Sequence, residues 1–156
     1  KTNNFSKKYD LILSVAVFEH LLDPLKWLTM CNRMLNKNGV LILQFPNFNS
    51  LNSKVSNFSS SKWDMFLEKG HIFFPEKKHM TVFSEISKWK ITTVKTSTIT
   101  IRGKLPFLPK RYIFLEKVVK KINNNSIVFR TVYVYFLKFL DYLNLGDTII
   151  YKLEKQ

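Results

Sequence analysis

The stretch "YDLILSVAVFEHLLDP", Tyr9 to Pro24, carries an almost unbroken apolar run that ends in Glu19 and His20. Residues Leu11 to Val17 do not alternate with polar residues, so they read as a strand buried on both faces. Asp23 is a good helix N-cap, and Pro24 suits the first helical position. From Leu25 onward, Leu28, Cys31 and Leu35 recur at helical spacing. Asn38 and Gly39 are a stop signal. "VLILQF", Val40 to Phe45, is a second strand of the same buried kind, ended by Pro46. Strand, helix, strand is a βαβ unit, which requires parallel strands and a right-handed crossover. In open parallel sheets, ligands bind outside the carboxyl ends of the strands. Glu19 and His20 follow one strand end and Asn47 follows the other. An acid, an imidazole and an amide are therefore expected at one crevice.

The rest of the chain extends this pattern. "FNSLNSKVSNFSSSK", Phe48 to Lys62, is rich in Ser and Asn and lacks a strong period. It reads as a mobile loop after a strand end, with room for one helical turn, serving either as a lid or as plain surface. Pro75 to Ile86 reads as a helix, with His79 on its solvated face. Ile91 to Ile101 is rich in β-formers and partly alternating. Within Leu105 to Leu145, Leu115, Val118, Val119 and Ile122 form a helical stripe with Lys117, Lys120 and Lys121 largely away from it. Ile127 to Leu143 is apolar nearly all round, yet Arg130, Lys138 and Asp141 argue against a membrane span. Thr148 to Leu153 reads as a closing strand. The expected organisation is a single α/β domain over residues 1–156, with residues 105–145 as a helical insert or cover before the last strand.

Composition adds bounds. A chain of 156 residues suffices for one domain with a real core. Cys31 is its only cysteine, which excludes a disulfide framework and a thiolate zinc site and fits a reducing, cytoplasmic setting. No secretory signal and no run of about 18 uncharged apolar residues is present. The net charge of +14 is the main oddity. It reads as attraction to an anionic surface or as solvated lysines. The basic residues are spread out rather than clustered, so no specific nucleic acid is expected. The chain starts at Lys1 rather than Met, which raises the expectation of a fragment.

These residues resemble a known family. "YDLILSVAVFEHLLDP" followed by "RMLNKNGVLILQFPN" resembles the second half of class I S-adenosylmethionine-dependent methyltransferases. The likeness is to a subgroup with one strand ending in Glu-His and the next in Pro-Asn. Trp63, His71 and Phe74 are similar to that subgroup's Trp, His and aromatic before the next helix, and "GDTIIYKLEK" looks like its final strand. The resemblance implies a partial Rossmann-like sheet of α/β class, strands four to seven of seven, in a three-layer αβα arrangement. "SKWKI" departs from the Gly-aromatic pair that usually precedes the sixth strand.

The resemblance also implies roles. Ser14 and Val15 would line the methionine end of S-adenosyl-L-methionine, largely through backbone. Glu19 and His20 would lie between cofactor and acceptor, with His20 as the proton acceptor. Asn47, Trp63 and His71 would face the acceptor, a small molecule, a sugar or a lipid-linked intermediate. In the related ubiquinone-pathway O-methyltransferases, a Glu-x-x-Glu-His strand end binds a divalent metal. Here Ala16 stands at the first of those positions, so no metal is expected. The family's glycine-rich cofactor loop is absent, because Gly39, Gly70, Gly103 and Gly146 are too dispersed. The chain alone is therefore expected to bind cofactor poorly and to be inactive.

Each residue also has a plainer reading. Glu19 can place a charge before the following helix. His20 can be a hydrogen-bonded structural histidine, and Asn47 can simply turn the chain. Trp63, His71, Phe73 and Phe74 can be packing residues. Two functions follow. One is methyl transfer to oxygen or nitrogen. The other is a non-catalytic basic module that binds an anionic membrane surface or nucleic acid, on the strength of the charge and of the aromatic and basic residues Phe107, Lys110, Arg111, Tyr112 and Phe114.

Overall fold

A computed structural model describes residues 7–58, 65, 68–98 and 127–156. The elements run in this order: β1 Tyr9–Val15, a 3-10 turn Phe18–His20, α1 Pro24–Met34, β2 Leu35–Pro46, α2 Leu51–Phe58, α3 Lys77–Ile86, β3 Trp89–Ser97, α4 Ile127–Tyr142 and β4 Thr148–Lys155. The strands form one sheet in the order β1-β2-β4-β3. β1 and β2 are parallel, as the βαβ reading required, with Leu11 opposite Val40, Leu13 opposite Ile42 and Val15 opposite Gln44. The register slips between Tyr9 and Leu11, where β2 runs from Leu35 to Val40. The Asn38-Gly39 stop signal therefore falls inside this irregular start of β2, and α1 ends earlier, at Met34.

Two units make up the chain. The first contains residues 1–46, 70–94 and 149–156; the second contains residues 47–69 and 95–148. In the first unit, Leu28 and Cys31 of α1, Met80 of α3, Leu41, Leu43 and Phe45 of β2, Trp89 of β3 and Tyr151 and Leu153 of β4 pack in one cluster. α1 starts as its sequence dictates, with the Asp23 carboxylate accepting from the Lys26 amide at 2.9 Å and Pro24 in the first turn. α3 starts at Lys77 after a Glu76 cap, where His79 Nδ1 accepts from the Glu76 amide at 3.0 Å. His79 is exposed, as expected. Trp89 Nε1 donates to the Leu28 carbonyl at 3.3 Å, so its buried indole is satisfied and extends β3 two residues before Ile91.

One expectation fails. β1 is not buried on both faces: Leu11 is 54% exposed, Leu13 63% and Val15 48%. Ser14 and the partly buried Ile12 point the other way, the latter against the core. An apolar run on a strand records that both faces suit a dry environment. It does not say what covers them, and among the described residues nothing buries the second face of β1.

The second unit begins at Asn47. The loop expected over Phe48 to Lys62 contains a helix, α2, whose first turn is capped by Ser50 Oγ accepting from the Ser53 amide at 3.1 Å. Residues 59–64 lie outside the described residues, and the lid reading is not tested. α4 buries Leu137 and Leu140 and exposes Ile127, Val128, Tyr135 and Tyr142. The remainder of the expected insert, residues 105–126, and the end of the expected strand, residues 99–101, also lie outside the described set. No described helix is long and apolar enough to cross a membrane.

Candidate functional site

The site grows from the carboxyl end of β1. The Ala16 amide donates to the Gln44 carbonyl at 2.9 Å, the last bond to β2 before the chain leaves the sheet. Ala16 has φ +52°, a left-handed conformation that an alanine adopts at a cost of about 1–2 kcal/mol. The chain then closes the 3-10 turn, with the His20 amide donating to the Val17 carbonyl at 3.0 Å. Phe18, fully buried, pins that turn. Its ring lies 5.5 Å from Phe45, 5.9 Å from Trp27, 5.7 Å from Phe73 and 6.3 Å from Phe83.

With Phe18 seated, Glu19 is carried into the interior. It is 1% exposed, and neither carboxylate oxygen has a hydrogen-bond partner among the described residues. Its Oε1 lies 3.8 Å from His71 Nε2, too far for a hydrogen bond. Its backbone carbonyl accepts from the Ile72 amide at 3.0 Å, which ties the 70–72 segment to the turn. His20 is exposed. Its Nδ1 is 2.7 Å from the Gly70 carbonyl. A carbonyl oxygen only accepts, so Nδ1 carries the proton and Nε2 presents a lone pair. The His20 and His71 rings are 4.7 Å apart, and Phe74 meets His71 edge-on at 5.7 Å.

Gly70 is the residue the sequence did not single out. Its φ is +99°, and a Cβ there would meet His20 Nδ1 at 3.2 Å. Only glycine lets the backbone both turn and approach the imidazole this closely. The sole sequence signal was a glycine immediately before His71.

Of the residues expected at the site, Glu19, His20 and His71 lie together. Ser14 is buried next to the end of β1, and its hydroxyl has no partner among the described residues. Val15 is exposed at the strand end. Asn47 belongs to the second unit and spends its side chain on backbone there. Its Nδ2 donates to the carbonyls of Gly146 at 2.8 Å and Asn144 at 3.3 Å, and its Oδ1 accepts from the Asn49 amide at 3.1 Å. Trp63 lies outside the described residues. Burial pushes the Cys31 thiol up to about 12, which removes it as a nucleophile. What the cluster can offer is a proton-accepting nitrogen on His20, held in one orientation, beside a buried carboxylate and a second imidazole.

A family model described as a methyltransferase domain matches residues 1–87 of the chain. Among solved structures, a SAM-dependent methyltransferase from Archaeoglobus fulgidus superposes with a TM-score of 0.54 at 11% identity, covering 96% of this chain and 60% of that one. A SAM-dependent methyltransferase from Thermotoga maritima, described as a possible histamine N-methyltransferase, gives 0.55 at 13% identity, covering 96% of this chain and 57% of that one. At these identities the structural likeness shows the fold, and this chain spans less than two thirds of either structure. No curated protein sequence matches it.

Proposed function

Because the chain belongs to the methyltransferase domain family, we propose that the protein it forms transfers a methyl group from S-adenosylmethionine to oxygen or nitrogen of a small-molecule, sugar or lipid-linked acceptor, and that β1, the 3-10 turn and the 70–74 segment are its acceptor side. When bound, the cofactor supplies an electrophilic methyl on a sulfonium. Ser14 and Val15, at the end of β1, are the residues of this chain that would meet its methionine end. The fit is partial: the unpartnered Ser14 hydroxyl leaves a polar group for a ligand, whereas a glycine-rich loop is missing from the sequence. The outward Leu11, Leu13 and Val15 present the kind of surface that further elements of the same fold would cover.

The chemistry left to the chain is orientation and proton removal. An acceptor hydroxyl or ammonium must lose a proton as it is methylated, and in-line positioning supplies much of the remaining rate. His20 Nε2 is the base, and the Gly70 carbonyl fixes its tautomer. The carboxylate of Glu19 steadies positive charge on the neighbouring imidazoles. The observation that carries this reading is the pairing of an oriented, exposed imidazole with a buried carboxylate at the carboxyl end of a parallel strand. To test it, the preceding coding sequence is restored, and S-adenosylmethionine binding and methyl transfer to candidate acceptors are measured for wild type and His20→Ala. Absence of cofactor binding by the restored wild type ends the proposal. Unchanged turnover of His20→Ala removes only the base.

A second element of the reading concerns where the acceptor is met. The exposed apolar residues of α4, with a net charge of +14, suit peripheral contact with an anionic membrane. Flotation with vesicles containing phosphatidylserine, and not with neutral vesicles, is the expected result. Equal behaviour with both excludes it.

A further inference from the structure

We infer that Glu19, His20 and His71 form a binding site for a divalent transition-metal cation, with zinc best suited to the donor set. The metal-loaded state is distinct from the one in which His20 acts as base, because an ion bound there takes the same Nε2 lone pair. One donor atom from each of the three residues lies within 4.8 Å of the others. Zinc–nitrogen and zinc–oxygen bonds of about 2.0–2.2 Å at a tetrahedral centre place ligand atoms about 3.3–3.6 Å apart. The Glu19 to His71 separation of 3.8 Å is already close to that. The other separations, up to 4.8 Å, require a contraction of about 1 Å on loading.

Three features point to a cation rather than to packing. First, Glu19 is fully buried with neither oxygen hydrogen-bonded among the described residues. A carboxylate so placed is costly unless a cation compensates it. Second, His20 donates Nδ1–H to a backbone carbonyl. Metal-binding histidines use the same arrangement to fix the tautomer and aim the other nitrogen at the ion. Third, the donors come from two segments locked together by the Ile72 to Glu19 backbone bond, so the geometry is held before any ion arrives. Two imidazoles and one carboxylate favour zinc and its neighbours over magnesium and calcium, which prefer all-oxygen shells. The exposure of His20 leaves a fourth position open to water or to an acceptor oxygen. From the sequence alone no metal was expected, because Ala16 stands where the Glu-x-x-Glu-His pattern has its first acid.

The test titrates Zn²⁺ into the apo form of the full chain by calorimetry, with Co²⁺ absorption as the second readout. One Zn²⁺ per chain with micromolar affinity is expected, and visible Co²⁺ d–d bands that appear on loading and are displaced by Zn²⁺. His20→Ala and His71→Ala should each weaken binding by at least about tenfold. His79→Gln, which changes the third histidine but keeps a capping side chain, should leave it unchanged. Glu19→Gln should also weaken binding. If that buried variant does not fold, His20→Ala, at an exposed position, decides the question. Zn²⁺ affinity weaker than about millimolar, absent d–d bands, or binding that survives His20→Ala overturns the inference. So does binding that His79→Gln abolishes.

Discussion

Replacing Asp147 by Asn should make the protein more stable at neutral pH and remove a specific part of its pH dependence. Asp147 is 8% exposed, in the segment that leads into β4. Burial is the main cause that pushes its carboxyl from 3.8 up to about 6, and the nearby Asp141 charge adds to it. Asn52 Nδ2, donating to its Oδ1 at 2.9 Å, opposes the rise without cancelling it. The folded-state value lies above the unfolded one, so between about pH 4 and 6 the folded chain binds more protons at this site. Its contribution to stability is fully present below about 4 and is lost as pH rises through about 6. The size follows from a shift of about two units at 1.36 kcal/mol each, or about 3 kcal/mol. Other carboxylates and the net positive charge also titrate there, so the informative quantity is the difference between variant and wild type. Urea denaturation at several pH values from about 4 to 7.5 supplies it. The stability of Asp147→Asn minus that of wild type should climb by about 3 kcal/mol across that range and then level off. Any constant offset reflects how well the amide replaces the carboxyl against Asn52. A flat difference curve, or one that falls with rising pH, would show that Asp147 titrates as an ordinary surface carboxylate and would refute the reasoning.

Three further outcomes check other parts of the structure. Phe18→Ala should cost about 3–5 kcal/mol and abolish the fixed geometry of the turn, visible as loss of the His20–Gly70 hydrogen bond in histidine nitrogen NMR. Gly70→Ala should cost about 1–3 kcal/mol, because φ +99° suits only glycine and the new Cβ presses on His20; a variant as stable as wild type with an unshifted His20 resonance would contradict it. Ala16→Gly should raise stability by about 1 kcal/mol, since it relieves a left-handed alanine at φ +52°, and a loss on thermal denaturation would show that the strain is compensated elsewhere.

The βαβ unit was legible because its signals are local. Two apolar runs, an Asp-Pro helix start and a Gly stop are each short, and together they admit few topologies. The adjacency of Glu19 and His20 at a strand end was legible for the same reason. What escaped depends on partners distant in sequence. The Ser and Asn content of α2 lowers its helix propensity, and the Ser50 cap that offsets this looks like any other loop serine. Asn47 is an ideal acceptor-binding residue by type, yet its amide is occupied by carbonyls almost a hundred positions away. β1 shows the converse: its composition was read correctly as apolar, and its exposure was not, since exposure depends on what lies against it.

The side-by-side acid and imidazole after β1 have a mechanical origin. A strand continuing past Val15 would send alternate side chains to opposite faces and part Glu19 from His20. The left-handed Ala16 takes the chain out of the sheet, and the tight 3-10 turn rotates successive side chains by about a third of a turn each. Phe18 then selects which of them goes inside. Burial of its ring is worth about 2–3 kcal/mol, with further gain from its four aromatic neighbours. That gain offsets both the Ala16 strain and part of the cost of carrying Glu19 out of water. Glu19 is thus buried because its neighbour must be, and His20 is exposed because the turn ends there. A carboxylate held in the dry interior within reach of two imidazoles is a state the fold maintains at a cost, and a cation or a proton-bearing acceptor is what would repay it.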